Sequence, residues 1–371
     1  MYLQITATIM NIQLIWLGNK NDYIINHMAK AINDDKPVIC IDPNGFIANG
    51  VVKYLNKKKI KDKQISFVNL STNQELQEWF NLLLTSSDQA EVAKRVETLV
   101  SFFIEIFWKE LFWPRIQDCF RHAVTLMMHH STDKHYTLLQ IPRFFSDKVF
   151  AEKVFIQSDN IVAKKWYQST FKGMAERERQ EIIPYFNAKF SVFTNDIRIR
   201  NILWNSKSQF VITKEIEKLS TIIISLPQAD LWEHNTSILC RTILWMMIEK
   251  ENLLSEYNIY FPDSEYYYWD TLLKILKKNY LHSQPVIFSY WDEINESLCR
   301  LSQKVYVKDI WSSDKRYLEE NAIKYKELDH IDLPSGNNSD DDIKKIQKIF
   351  NLRFWVKKDL LEKDIMYQLW V

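Results

Sequence analysis

Residues 12–56 have the sequence IQLIWLGNKNDYIINHMAKAINDDKPVICIDPNGFIANGVVKYLN, and residues 65–70 have the sequence ISFVNL. Short apolar runs alternate here with helix-like segments, in the order strand, helix, strand, helix and strand, at 12–17, 21–33, 38–41, 45–56 and 65–70. Alternation at this spacing is typical of βαβ units, whose parallel sheet is covered by helices on both faces. We therefore predict an α/β fold.

The pattern changes twice along the rest of the chain. Residues 73–204 have helical periodicity and predict an inserted helical subdomain. Strand character returns at 221–226, 259–261, 286–289 and 305–308, with helices at 237–251 and 269–278 and a polar loop at 334–342 before a final helix and a short strand. The predicted organisation is a first part of the α/β domain at 1–72, the helical insertion at 73–204 and a second part at 205–371.

Charge and cysteine content limit the possible binding partners and the redox state of the protein. The chain has 48 Lys and Arg against 47 Asp and Glu, a net charge of +1, so its overall charge does not attract nucleic acid or an acidic membrane. The basic run at 57–63 is interpreted as a solvated loop. Single cysteines at Cys40, Cys119, Cys240 and Cys299 lie in apolar surroundings, which predicts reduced core residues.

The uncharged first 19 residues contain polar interruptions and no basic start, so they are interpreted as a strand and not as a signal peptide. No other uncharged apolar stretch approaches the roughly 20 residues of a membrane helix. We expect a cytoplasmic protein without a membrane span. Aromatic residues make up 14% of the chain, which is compatible with a rich core and also with an aromatic surface buried against a protein partner.

Glycine is scarce. The chain has 5 glycines, where average usage gives roughly 26. Loops that wrap phosphate depend on glycine, because its backbone reaches positive φ and lets amides approach the ligand closely. The sequence therefore has little from which to build such a loop.

Several blocks, in order along the chain, resemble the HerA/TraG superfamily of hexameric DNA-pumping ATPases, which includes the coupling proteins of conjugation and type IV secretion. The most specific block combines AERER at 175–179 with IPYFNAKF at 183–190 and IRNIL at 199–203. The other blocks are CIDPNG at 40–45, FVNL at 67–70, FWPRIQD at 112–118, TLLQIPRFF at 137–145 and IIISLP at 222–227. The resemblance implies a RecA-like, mostly parallel sheet with helices on both faces and an inserted all-helical subdomain.

The resemblance also implies a phosphate-binding loop between the first strand and the first helix, built as a glycine-rich run that ends in Lys-Ser/Thr. The corresponding position holds Gly18, Asn19 and Lys20, followed by Asp22, with one glycine and no Gly-Lys-Ser/Thr. Lys20 could contact a phosphate, but an ordinary polar turn is the simpler interpretation. Asp22 would place negative charge beside the phosphates.

Two further positions of the implied ATPase site have also changed. The acidic pair at the end of a strand corresponds to Asp263 and Glu265, which are separated by one residue and follow Pro262; turn residues after a strand are the simpler interpretation. The polar sensor position, at the end of the strand in 286–291, has aromatic residues. Loss at three positions indicates an inactive site more strongly than loss at one.

Other catalytic or metal-binding patterns are weak. Arg198 and Arg200 are candidates for an arginine finger by residue type, but surface salt bridges are the commoner role for such residues. His129 and His130 are adjacent and would point in different directions on a helix, so no metal site is predicted. No serine or cysteine has the context of a nucleophile.

The sequence therefore favours a catalytically degenerate HerA/TraG-like scaffold that needs no cofactor. It would bind protein partners in a DNA-transfer, type IV secretion or mobile-element defence system, as a homo- or hetero-oligomer, with DNA contacted through a complex. One alternative is an active hexameric translocase in which Lys20, Asp263 and Glu265 act on ATP and Mg²⁺. A second alternative is a nucleic-acid-binding module that does not use ATP.

Overall fold

A computed structural model describes most of the chain, and the chain divides into two compact units. The first unit comprises Met1–Ser71 and Ile212–Arg353, and the second comprises Thr72–Val211 and Phe354–Val371. The described residues are 12–16, 20–58, 65–70, 76–77, 81–84, 88–107, 114–130, 135–203, 212–226, 228–248, 250–263, 266–267, 286–290, 304–307, 325–327 and 356–357.

The first unit is built on a parallel sheet, which has eight strands in the described part of the chain. In chain order these strands are β1 (Ile12–Trp16), β2 (Val38–Asp42), β3 (Ile65–Asn69), β5 (Thr221–Ser225), β6 (Asn258–Phe261), β7 (Val286–Tyr290), β8 (Lys304–Val307) and β9 (Tyr325–Glu327). Their spatial order is β3-β5-β2-β6-β7-β1-β8-β9, and every neighbouring pair is parallel. The carboxyl ends of these strands therefore lie at one common edge of the sheet.

Helices cover the sheet because its central strands are apolar on both faces. The helices of this unit are α1 (Lys20–Asn33), α2 (Phe46–Lys57), α10 (Ile212–Glu217), α11 (Gln228–Leu231), α12 (Glu233–Ile248) and α13 (Glu251–Leu254). All five residues of β2 and of β5 are buried. One face, with Val38 and Cys40, joins the core of α1 and α2, while Ile39 and Ile41 alternate to the other face and are fully buried as well. This burial confirms the predicted α/β fold.

Helices α1 and α2 pack closely because Gly50 has no side chain. A Cβ atom at this position would lie 2.2 Å from Cδ1 of Ile25 on α1, well inside van der Waals contact. The glycine thus sets the distance between the two helices that follow β1 and β2.

The second unit is mostly helical. It contains α3 (Gln89–Phe107), α4 (Pro114–Met128), α5 (Gln140–Ser146), α6 (Lys148–Gln157), α7 (Ile161–Trp166), a π-helical segment (Tyr167–Phe171), α8 (Glu176–Thr194) and α9 (Ile197–Leu203). Phenylalanine rings fill its core: Phe103 stacks on Phe190 at 5.2 Å between ring centroids, and Phe145 stacks on Phe186 at 4.1 Å. A short antiparallel pair, β4 (Leu76–Gln77) with β10 (Val356–Lys357), also belongs to this unit.

Several sequence predictions can be compared with these elements. The predicted strands and helices of residues 12–70 are confirmed, and each predicted bound lies within one residue of the observed one. The helix predicted at 269–278 and the loop at 334–342 lie outside the described residues. Cys40, Cys119 and Cys240 are buried and free, whereas Cys299 lies outside the described part. None of the described helices is long and apolar enough to span a membrane.

Candidate functional site

Two carboxylates lie next to each other in the fold at the common edge where the strands of the sheet end. Asp42 is the last residue of β2, and Asp263 follows Phe261, the last residue of β6, by two positions. Strands β2 and β6 are hydrogen-bonded neighbours. Ligands of open parallel sheets bind outside this edge, so it is the place where a functional site is expected.

Asp42 is held by backbone amides of the loop and helix that follow it. Its side chain is 1% exposed; Oδ1 accepts a hydrogen bond from the Asn44 N–H at 3.2 Å, and Oδ2 accepts one from the Ala48 N–H at 2.8 Å. Ala48 lies in the first turn of α2, where N–H groups have no partner within the helix. The Asp42 carboxylate therefore takes the role of a helix cap, since Gly45, the residue before α2, has no side chain to do so.

Burial raises the pKa of Asp42 to about 6. The hydrogen bond from Ala48 opposes this rise, and the nearby charge of Asp263 adds to it. Asp42 is therefore a buried acid that changes its charge at mildly acidic pH.

Asp263 contacts a side chain of the β2–α2 loop. It is 4% exposed, and its Oδ2 accepts a hydrogen bond from Nδ2 of Asn44 at 2.5 Å. Its φ is 51°, in the left-handed region that a residue with a side chain adopts only at a cost. Asn44 thus contacts both acids, Asp42 through its backbone and Asp263 through its amide.

Burial raises the pKa values of the two thiols and the phenol beside this pair and so favours their neutral forms. Burial raises the pKa of the Cys40 thiol, with Asp42 and Asp263 adding to the effect, and burial also raises the pKa of the Cys240 thiol. The Tyr267 hydroxyl donates to the Ile41 carbonyl at 2.6 Å. Because a thiolate is the nucleophilic form of cysteine, these buried neutral thiols have a structural role.

The predicted phosphate-binding position is restricted by the elements on either side of it. Strand β1 ends at Trp16 and helix α1 begins at Lys20, so residues 17–19 alone connect them. Gly18, Asn19 and the side chain of Lys20 lie outside the described residues. Asp22 lies in the first turn of α1, where an acid stabilises the helix but would repel a phosphate.

The remaining predicted residues are spread over both units. Glu265 lies outside the described residues. Arg198 and Arg200 belong to α9 of the helical unit; Nε of Arg198 donates to Oδ1 of Asp196 at 2.8 Å, and Nη1 of Arg200 donates to the Thr194 carbonyl at 3.5 Å. Both arginines are thus engaged in contacts within their own unit.

His129 and His130 directly follow α4 and are buried. Burial lowers the pKa of both imidazoles, that of His130 to about 4. Among the described residues, no group of three or more His, Cys, Asp and Glu side chains could hold a metal ion.

Exposed apolar surface is mostly aliphatic. The large hydrophobic side chains that the described part of the chain exposes are Phe46, Val149, Ile156, Ile161, Val162, Ile197, Leu219 and Trp232. The aromatic surface expected from composition is represented here by Phe46 and Trp232, because most described rings of the helical unit are in its core.

The parallel sheet, with helices on both faces and a helical unit between β3 and β5, places the chain in the RecA-like α/β class. No protein-family model matches the chain, and no curated protein matches its sequence. The structure is similar to that of the bacterial conjugative coupling protein TrwB in an unbound monoclinic form, with a TM-score of 0.47 and 7% identity over 84% of this chain and 66% of that one.

Two further similar structures are the plasmid coupling protein TrwB with ADP and Mg²⁺, at a TM-score of 0.46 and 8% identity, and with a non-hydrolysable ATP analogue, at 0.46 and 7%. Both matches cover 78% of this chain and 65% of the other, so this chain spans slightly less than two thirds of their length. The similar structures belong to the class of coupling proteins that the sequence resembles. At 7–8% identity the similarity concerns the fold and assigns no role to individual residues.

Asp42 and Asn44 are the site residues that the sequence did not single out. Both lie within CIDPNG at 40–45, a block that carries the family resemblance but gives neither residue a role of its own. The signal that could have found them is the Asp-Pro-Asn-Gly turn at a strand end, because an aspartate there can bond the amides of the following helix.

Proposed function

We propose that this chain is a coupling-protein-like scaffold that binds protein partners and does not hydrolyse ATP. The observation that supports this proposal most directly is the short connection between β1 and α1, residues 17–19. A phosphate-binding loop of this fold has the pattern G-x-x-x-x-G-K-[ST], and its successive backbone amides surround the phosphates. In this chain one residue separates Gly18 from Lys20, whereas the pattern has five residues between its first glycine and its lysine.

Asp263 supports the same proposal. To ligate Mg²⁺, a carboxylate has to present an oxygen toward the nucleotide. Asp263 is buried, and its Oδ2 already accepts a hydrogen bond from Asn44. The short β1–α1 connection and an acid already engaged within the protein both favour a chain that does not bind MgATP.

The scaffold role is supported by what each unit retains. The sheet unit has a covered, buried sheet and the helical unit has a packed aromatic core, and the net charge of +1 favours protein partners over direct contact with DNA. We place this scaffold in a DNA-transfer, type IV secretion or mobile-element defence system, where DNA is contacted through the complex.

Isothermal titration of the full chain with MgATP tests the proposal. The expected result is no saturable heat up to about 1 mM nucleotide, which corresponds to less than about 4 kcal/mol of binding free energy. Micromolar binding together with turnover would overturn it. DNA-stimulated hydrolysis that is abolished by Asp263→Ala, in a chain that assembles into a ring, would establish the active translocase instead.

A further inference from the structure

Two aromatic side chains are exposed at the carboxyl edge of the sheet. Phe46, the first residue of α2, is 68% exposed, and Trp232, the residue before α12, is also 68% exposed. They follow β2 and β5, which are hydrogen-bonded neighbours. Tryptophan and phenylalanine are highly buried on average, and open parallel sheets bind their ligands at this edge, so the two exposed rings indicate a binding surface.

A backbone hydrogen bond joins the two segments that carry these rings. The N–H of Gln228 donates to the Pro43 carbonyl at 3.1 Å. Phe46 lies three residues beyond Pro43, and Trp232 lies four residues beyond Gln228, to whose carbonyl the Trp232 N–H donates at 2.8 Å. Both aromatic residues are thus within four residues of one contact, which places them on the same part of the edge.

The turn after β6 is hydrogen-bonded to the same two segments. The Asp263 carboxylate accepts the bond from Asn44, and the Tyr266 carbonyl accepts one from the Ser237 hydroxyl of α12 at 3.1 Å. Three neighbouring strands, β5, β2 and β6, therefore contribute to one connected edge.

Acids accompany the exposed rings. Residues 42–52, 226–240 and 262–268, which follow β2, β5 and β6, contain no Lys or Arg. Their acids are Asp42, Asp230, Glu233, Asp263 and Glu265. Glu233 is exposed next to Trp232 and has no ion pair within the described part of the chain. Because such a surface repels phosphate, nucleic acids and acidic lipids are disfavoured as ligands.

Basic residues of the same helices lie further from the edge. Lys53 is seven residues beyond Phe46 and Arg241 is nine beyond Trp232, which corresponds to roughly 10–13 Å along the helices. Helix α1, which packs against α2, begins with Lys20 and has Asp22 in its first turn, so these two charges offset each other. The charge beside the rings is therefore negative, although the whole chain is nearly balanced.

Trp232 also has an unfavourable backbone conformation. It directly follows α11, and its φ is 68°. Left-handed residues after a helix are usually glycine, because a Cβ atom crowds the backbone there. An exposed tryptophan gains little from burial to offset this strain, and strained residues cluster at binding sites.

We propose that the aromatic edge, formed by Phe46, Trp232 and Glu233, binds an arginine-containing segment of a partner protein. A guanidinium group stacks on aromatic rings and also pairs with carboxylates, so arginine matches a surface that presents both. A symmetric contact between two copies would place acids against acids, which is repulsive. The inference rests on the proposed scaffold role for its purpose and deepens it by naming the chemistry of the partner.

Three labelled peptides with uncharged ends test the proposal against the full chain. They share a Gly/Ser sequence and carry Arg, Lys or Glu at the same three positions. Fluorescence anisotropy is expected to show saturable binding that is tightest for the Arg peptide and absent for the Glu peptide. Lysine is expected to bind less tightly than arginine, because its ammonium group is more strongly hydrated and does not stack.

Variants with a matched control identify the surface. Trp232→Gly should weaken binding of the Arg peptide about fivefold, the size of one exposed cation–π contact. Phe46→Leu, which removes a ring but keeps an aliphatic side chain, should weaken it as well, and Glu233→Gln should weaken it about threefold.

Leu219→Gly is the control for Trp232→Gly. Leu219 is also exposed and left-handed, with a φ of 53°, but it precedes β5 and therefore lies at the opposite edge. Glycine is favoured at both backbone positions, so neither substitution should lower the urea midpoint. Leu219→Gly is expected to bind the Arg peptide as the unmodified chain does.

Several outcomes would overturn the proposal. They are absence of saturable binding, equal affinity for the Arg peptide and either other peptide, equal losses in Trp232→Gly and Leu219→Gly, tighter binding of a single-stranded oligonucleotide, and self-association of the unmodified chain that Trp232→Gly abolishes. Titration with MgATP separates the two proposals. Nucleotide binding contradicts the scaffold role, whereas failure of the peptides without nucleotide binding contradicts the aromatic edge alone.

Discussion

Replacing Asp42 by asparagine should change how the stability of the sheet unit depends on pH. Asp42 is buried and its pKa is raised to about 6 from its usual value of 3.8. A carboxyl group with a raised pKa binds its proton more tightly in the folded state, so folding is favoured at low pH. As pH rises from about 4 to above 6, ionisation of buried Asp42 removes that contribution.

The size of the effect follows from the shift. About two pKa units at about 1.4 kcal/mol each give roughly 3 kcal/mol of unfolding free energy that is lost between pH 4 and 7. Asparagine has a similar shape and one oxygen that can accept the bond from the Ala48 amide, but it does not ionise. The stability of Asp42→Asn relative to the unmodified chain should therefore improve by roughly 3 kcal/mol over this pH interval.

The prediction concerns the difference in unfolding free energy between Asp42→Asn and the unmodified chain, because other groups titrate in the same pH interval. Burial lowers the pKa of His27, His129 and His130, and these groups favour folding as pH rises. Urea unfolding, followed at several pH values for both chains, cancels these shared contributions. Glu256→Gln, an exposed neutralisation in the same unit, is the control and should show no such trend. A difference between Asp42→Asn and the unmodified chain that stays within about 0.5 kcal/mol from pH 4 to 7 would refute the reasoning.

Two further predictions concern packing and buried polar contacts in the sheet unit. Gly50→Ala should destabilise the chain because its Cβ would meet Ile25. In an Ile25→Ala background, the same change should lower the free energy of unfolding by about 1–3 kcal/mol less, and additive effects of the two substitutions in urea unfolding would contradict the close contact. Glu215 accepts hydrogen bonds from the hydroxyls of Ser66 at 2.7 Å and Ser220 at 3.2 Å. Glu215→Ala should therefore lower the free energy of unfolding in urea by about 2–3 kcal/mol, and Glu215→Gln should lower it less. Equal losses for the two variants would show that these hydroxyls do not depend on the carboxylate.

The local elements of this fold could be predicted from the sequence because their signals are local. Apolar runs and helical periodicity located β2 at 38–41 and α2 at 45–56, against the observed Val38–Asp42 and Phe46–Lys57. The order of the strands in the sheet could not be predicted in this way, because it depends on which buried faces match after the chain has returned from the helical unit.

The site illustrates the same limit. The sequence placed Asp263 at a strand end, but its contact with Asn44 joins residues 219 positions apart. No spacing or periodicity reports a contact of that range, nor the left-handed backbone of Asp263. The exposed aliphatic side chains of α6 were likewise invisible in the sequence, because buried and exposed apolar residues of one helix look alike until its neighbours are known.

The strand order has a consequence for the synthesis of the chain. The three strands described within the first 71 residues have no hydrogen bonds to one another: β1 lies between β7 and β8, β2 lies between β5 and β6, and β3 pairs with β5. During synthesis, the strands that the structure describes as their partners become available only after residue 221 has emerged. β1 in particular must wait for residues beyond 285, so the sheet closes late, and a nascent chain interrupted before that point would expose unpaired strand edges to chaperones and proteases.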